Sequence, residues 1–138
     1  MQRSPILKAL PLAVALVALV AIPAGGATKV LFPANCGKPT YKPTSIVVTC
    51  ADANSRITGI RWQSYGTKAA SGTGTAKIND CKPNCAAGKF KSYPVVVTLN
   101  RPKRCGKVTQ FTRLAETFTR SRPSGSTKTV SQAFPCSS

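Results

Sequence analysis

The chain has 138 residues, with 20 Lys and Arg against 3 Asp and Glu for a formal net charge of +17, six cysteines and no histidine. So few acids exclude self-neutralisation by internal ion pairs. The missing histidine excludes Ser-His and Cys-His nucleophile pairs and removes the commonest metal ligand.

The N-terminal stretch "MQRSPILKALPLAVALVALVAIPAGGATK" sets Arg3 and Lys8 ahead of an apolar run from Ala9 to Ala24, followed by Gly25, Gly26 and Ala27. This is the three-part layout of a secretory signal peptide, expected over residues 1–27 with cleavage near Ala27. A spanning helix needs about 20 apolar residues, whereas this run is shorter and holds Pro11 and Pro23, so a retained anchor fits less well. A lipid anchor fits poorly too, because Cys36 follows Pro33, Ala34 and Asn35. The mature chain is expected to lack a transmembrane segment and to be 138 less 27, or 111 residues, the size of one domain with a modest core. Without Arg3 and Lys8 it keeps 18 cationic residues against 3 acids, a net +15. All six cysteines, Cys36, Cys50, Cys81, Cys85, Cys105 and Cys136, lie in it, which in an exported chain reads as three disulfides with 15 possible pairings.

Residues 28–41, with Pro33, Gly37 and Pro39, read as a lead-in segment to a single secreted β domain over residues 42–138. "TSIVVTC" (44–50) is β-branched, and alternation sets Ile46, Val48 and Cys50 on one side. "SRITGIRWQ" (55–63) alternates as well, with Thr58, Ile60 and Trp62 on one face and Ile57, Gly59 and Arg61 on the other. Pairing with Ile60 assigns Trp62 to core packing. "ADAN" between them is turn chemistry, so the two runs form a hairpin. "SGTGTAKI" (71–78) reads as a third strand weakened by glycine, and "PVVVTL" (94–99) as the clearest strand, with Pro94 at its first position.

In "QFTRLAETFTR", Phe111, Leu114, Ala115 and Phe118 follow helical spacing, while Val108, Thr109, Thr112, Thr117 and Thr119 favour a sheet. With strands on every side, residues 111–120 are assigned to strand, and "KTVSQAF" (128–134) supplies the last one. Short strands parted by Gly, Pro and Asn turns predict an all-β fold, a small disulfide-stapled antiparallel sandwich or barrel.

The chemical inventory points away from catalysis. Asp52 and Asp80 sit in predicted turns, where bonding to their own backbone explains them, leaving Glu116 without a partner carboxylate. No serine and lysine pair is marked above another, and neither "SGTGTAKI" nor "AAGKF" completes a phosphate-binding glycine motif. A four-cysteine zinc site conflicts with export. The chain is therefore expected to be a non-enzyme with no metal or cofactor.

In "NDCKPNCAAGKFKSYP" the two cysteines are three residues apart with Pro83 between them, a poor redox pair and a good turn staple. The residues after it interleave Lys89, Phe90, Lys91 and Tyr93, and "RPKRCGK" clusters Arg101, Lys103, Arg104 and Lys107. These eight are the candidate binding residues. Their expected partner is an anionic polymer or cell-wall surface, with nucleic acid bound only non-specifically, by charge and ring stacking. The competing reading is that the charges merely solvate the surface.

The succession "YKPTSIVVTCADAN", "ITGIRWQSYGTKAASGTG" and "INDCKPNCAAGKFKSYPVVVTL" resembles a group of small exported actinobacterial proteins of unassigned function. In that group a Cys-Ala-Asp turn is followed by a Trp strand, an Asn-Asp-Cys-x-Pro-Asn-Cys-Ala loop and a Tyr-Pro-Val strand. The resemblance covers about residues 41 to 120 and implies an exported β protein, not an activity. Cys36 and Cys136 fall outside it, and Tyr65 stands where the group carries Trp. A weaker likeness, in "YKPTSIVV" and "YPVVVTLNRP", is to bacterial secreted subtilisin inhibitors. It implies that loop 86–93 enters a protease with Lys89 or Lys91, although loop length and the usual four cysteines differ.

Overall fold

The computed structural model describes residue 26 and residues 28–136, so the expected signal peptide lies, apart from residue 26, outside the described residues. Seven strands, β1 (Val30–Leu31), β2 (Ile46–Val47), β3 (Ser55–Tyr65), β4 (Ala70–Asn79), β5 (Phe90–Cys105), β6 (Val108–Phe118) and β7 (Thr129–Ala133), form one sheet; the described residues contain no helix. The order is β1-β6-β5-β4-β3-β2, with β7 also on β6. The all-β expectation holds, and residues 111–118 are strand. The sheet is mixed rather than purely antiparallel, because β1 joins β6 in parallel through Val30 opposite Thr109. It curls into a half-barrel in place of a two-layer sandwich.

The curl has a cause in β4. Its inward positions are Ala70, Gly72, Gly74 and Ala76, facing Leu99, Val97, Val95 and Tyr93 of β5. A Cβ on Gly72 would stand 2.7 Å from the Arg61 carbonyl oxygen and 3.0 Å from the Trp62 ring, so β3 folds down over β4 only because side chains are missing there. The glycines that weaken this strand in isolation let the sheet close on itself.

β3 bends to match. Gly59 takes φ +63, and the β3–β4 register shifts between Thr58 and Arg61. Strict alternation separates Ile57 from Ile60, yet both are buried, because the bulge at Gly59 resets the face. Trp62 packs against the core and its Nε1 donates to the Pro43 carbonyl at 2.9 Å.

The core is the concave face. Val95, Val97 and Leu99 of β5 lie opposite Phe118, Glu116 and Leu114 of β6. Tyr65 contacts Tyr41, Trp62 and Phe111 at centroid distances of 5.1, 5.1 and 5.8 Å, joining β3 to β6 across the interior. Burial raises its hydroxyl pKa to about 12.

The lead-in segment of residues 28–41 supplies β1 and buries Val30, Phe32 and Ala34. It also helps close the seam of the half-barrel: Ala34 accepts from the Val47 N–H of β2 at 2.7 Å. At β7, Gln132 Nε2 reaches the Val48 carbonyl at 2.9 Å. Three disulfides pin the periphery: Cys36–Cys50, Cys81–Cys85 and Cys105–Cys136. With all six cysteines paired, the chain fits an oxidising compartment.

Candidate anion-binding site

The eight residues marked in the sequence fall into two groups at opposite ends of β5. Lys91 and Arg101 are ten positions apart on one strand, about 30 Å at 3.3 Å per residue. They do not form one site.

At the first end Asn79 and Asp80 organise the stapled loop. Asn79 Nδ2 donates to Asn54 Oδ1 and to the Cys85 carbonyl, and its Oδ1 accepts from the Cys81 N–H. Asp80 Oδ1 accepts from the N–H groups of Lys89 at 2.9 Å and Lys82 at 3.2 Å. Those backbone bonds, Lys89 first, hold its carboxyl below the usual range. Asp52 bonds the Asn54 N–H in the same manner, which also lowers its pKa, so both acids are the turn-capping groups expected of them. Lys91 pairs with Asp80 at 3.4 Å on the surface, where solvent screens the attraction. The Arg56 guanidinium covers the Phe90 ring at 4.8 Å, and Tyr93 is half-buried against Phe118 at 5.9 Å. Both rings of this loop thus have a partner, with Phe90 still 44% exposed, and one of its two candidate lysines has a counterion.

The second end differs. β5 and β6 meet through Gly106 and Lys107, a two-residue turn with Cys105 opposite Val108 and Gly106 at φ +60, the conformation glycine supplies at the first turn position. Arg104 Nε donates across the turn to the Gly106 carbonyl at 2.8 Å, and Lys107 is exposed at the tip. Counting back from this turn sets Asn100 opposite Arg113 and Pro102 opposite Phe111. Between those pairs the ladder is interrupted: Arg101 takes φ +55, and the Thr112 hydroxyl donates to the Arg101 carbonyl at 2.8 Å. A non-glycine residue in left-handed conformation is uncommon, and here it re-aims a cationic side chain.

Arg101, Lys103 and Arg113 consequently line one cavity of about 270 Å³, walled on its far side by Phe134, Pro135 and Cys136. Among the described residues no carboxylate belongs to its lining. Asp52 caps the β2–β3 turn, Asp80 belongs to the distant loop, and Glu116 faces the core. Three cations around an acid-free hollow focus positive potential more strongly than the same charges dispersed. Sequence reasoning missed Arg113. The signal was the glycine turn in "RCGKV", from which antiparallel counting brings residue 113 beside residue 100.

Among the described residues no cluster of three or more acids, cysteines or histidines is placed to hold a metal ion. Comparison of the chain with family models, with curated proteins and with solved structures finds no match.

Proposed function

We propose that the protein is an exported, non-enzymatic binding module for anionic envelope or extracellular polymers, with the Arg101, Lys103 and Arg113 hollow as its focal site. The observation that carries this reading is the convergence of three cations on one cavity with no acid among them, in a chain of net charge +17. Three disulfides and the signal-like leader support export, and the reading keeps the chain beside the small exported β proteins that its ordered motifs resemble. Nucleic acid would be held by the same charges without sequence preference. The protease-inhibitor alternative has less behind it: the Lys89 N–H and C=O are both bonded to Asp80, and Lys91 is ion-paired to it, so neither lysine stands on a free loop.

The test is retention on heparin and on polyphosphate between 50 mM and 500 mM salt. The Arg101→Ser/Lys103→Ser/Arg113→Ser variant is compared with an equal-charge control, Lys82→Ser/Lys89→Ser/Lys91→Ser. Counterion release gives a slope near −0.9 for each phosphate neutralised on DNA, so the first variant should flatten the logarithmic salt slope by about 2 to 3 and the control by less. Equal slopes for the two would dissolve the site into diffuse charge. Retention that ignores salt would sink the electrostatic reading altogether.

A further inference from the structure

The wall formed by Phe134, Pro135 and Cys136 has a second side. It also lines a larger groove of about 610 Å³, in which Pro33, Pro39 and Val108 complete an apolar surface. The Cys36–Cys50 and Cys105–Cys136 bridges border this groove, and the Phe134 ring packs at 4.8 Å on buried Phe32. Disulfides, prolines and a ring seated in the core have little freedom to collapse, so the groove is held open in advance, and its volume is in the range of small-molecule sites. Among the described residues Lys38 is the one charged side chain on its lining. Val108 stands 37% exposed at its edge, where a ligand in the groove would cover it.

The cationic hollow and the apolar groove therefore share one wall of three consecutive residues. We infer that together they bind an anionic amphiphile, with a phosphate-type head group among Arg101, Lys103 and Arg113 and an acyl chain in the groove beside Phe134 and Val108. This rests on the anion-binding reading above and deepens it from polymer charge to a lipid-like ligand. A simple anion uses the hollow and leaves the groove empty. A neutral apolar ligand uses the groove and leaves three cations without counterions. Only a molecule with both parts satisfies both surfaces, and charge complementarity fixes which end lies where. Each methylene buried in the groove contributes about a four-fold gain in affinity, so three give about 60-fold over the head group alone.

The experiment uses the oxidised, exported protein with three probes: dodecyl phosphate below its micellar concentration, inorganic phosphate, and dodecyl maltoside. Affinity is read from residue-resolved NMR shifts, beside heparin retention on the same samples. Dodecyl phosphate should bind at least about 60-fold tighter than phosphate and perturb Val108, Phe134 and Arg113 together. Lys103→Ser/Arg113→Ser should weaken it to the dodecyl maltoside level. Val108→Asn, at an exposed position, should weaken dodecyl phosphate several-fold and leave heparin retention unchanged. Equal binding of dodecyl phosphate and inorganic phosphate at the hollow would overturn this inference while leaving the polymer reading intact. Shifts confined to residues away from Val108 and Phe134 would overturn it as well. Loss of both phosphate binding and salt-dependent retention would take the underlying reading with it.

Discussion

Glu116 provides a sharp physical test of the fold. It lies on the inner face of β6 opposite Val97, 4% exposed, and its Oε1 has no hydrogen-bond partner. Burial raises its carboxyl from an ordinary 4.5 to about 7. Below pH 4.5 the folded and unfolded chains both hold the proton, and the group is silent. Between 4.5 and 7 the unfolded chain ionises while the folded one resists, so stability falls as pH rises, and above 7 the loss is complete. Moving the carboxyl from 4.5 to about 7, at about 1.36 kcal/mol for each tenfold change in proton affinity, amounts to about 3 kcal/mol. The background is unusually clean, since the chain has no histidine and both other carboxyls are held low. Urea unfolding followed by Trp62 fluorescence from pH 4.5 to 7.5 should show that decline in the wild type at constant m-value. Glu116→Gln and Glu116→Leu should each give a flat profile, and Glu116→Leu should exceed the wild type at pH 7.5 by about 2 kcal/mol or more. A wild-type profile that is already flat, or a decline that survives in Glu116→Gln, would mean the carboxyl is hydrated or paired in solution, and the reasoning would fail.

Gly72→Ala should destabilise by about 1 to 3 kcal/mol, because its Cβ meets the Arg61 carbonyl at 2.7 Å and backbone must move; thermal unfolding that matches the wild type would show the curl is looser than described. Removing the disulfides as Cys-to-Ala pairs should follow loop length: about 4 kcal/mol for Cys105–Cys136, about 3 for Cys36–Cys50 and about 2 for Cys81–Cys85, with separations of 31, 14 and 4. Denaturant midpoints in the reverse order would refute the closure argument.

What the sequence made legible was local. "PVVVTL" reads as strand on its own composition, and Asp52 and Asp80 read as turn caps because each accepts from an N–H two positions on, although Asp80 also accepts from the more distant Lys89 N–H. The threonines of β6 outweigh its helical spacing because it is paired on both sides by other strands. What escaped was set by distance along the chain. β5 runs from Phe90 to Cys105, well past its apolar centre, because β4 and β6 pair with its polar flanks. Ile57 and Ile60 share the core through one left-handed glycine, a conformation that period-two reasoning does not carry. The short β1 becomes a strand only because β6 lies beside it. The candidate site shows the same division. The cations of "RPKRCGK" were visible as a cluster, but the ends of a 16-residue strand separated them from the lysines after Cys85 and supplied Arg113 in their place.

The closed seam has a consequence for how copies of this chain meet one another. An open half-barrel offers bare strand edges that invite a neighbour to add its own strand, the first step toward fibrous aggregation. Along this seam the Val47 N–H is taken by Ala34 and the Val48 carbonyl by Gln132, one from the front of the described chain and one from near its end. A strand arriving from a second molecule finds those groups occupied, and it must also approach against like charge. The terminal segments thus act as edge guards, and a molecule trimmed of either one should be more prone to polymerise even where its central strands stay folded.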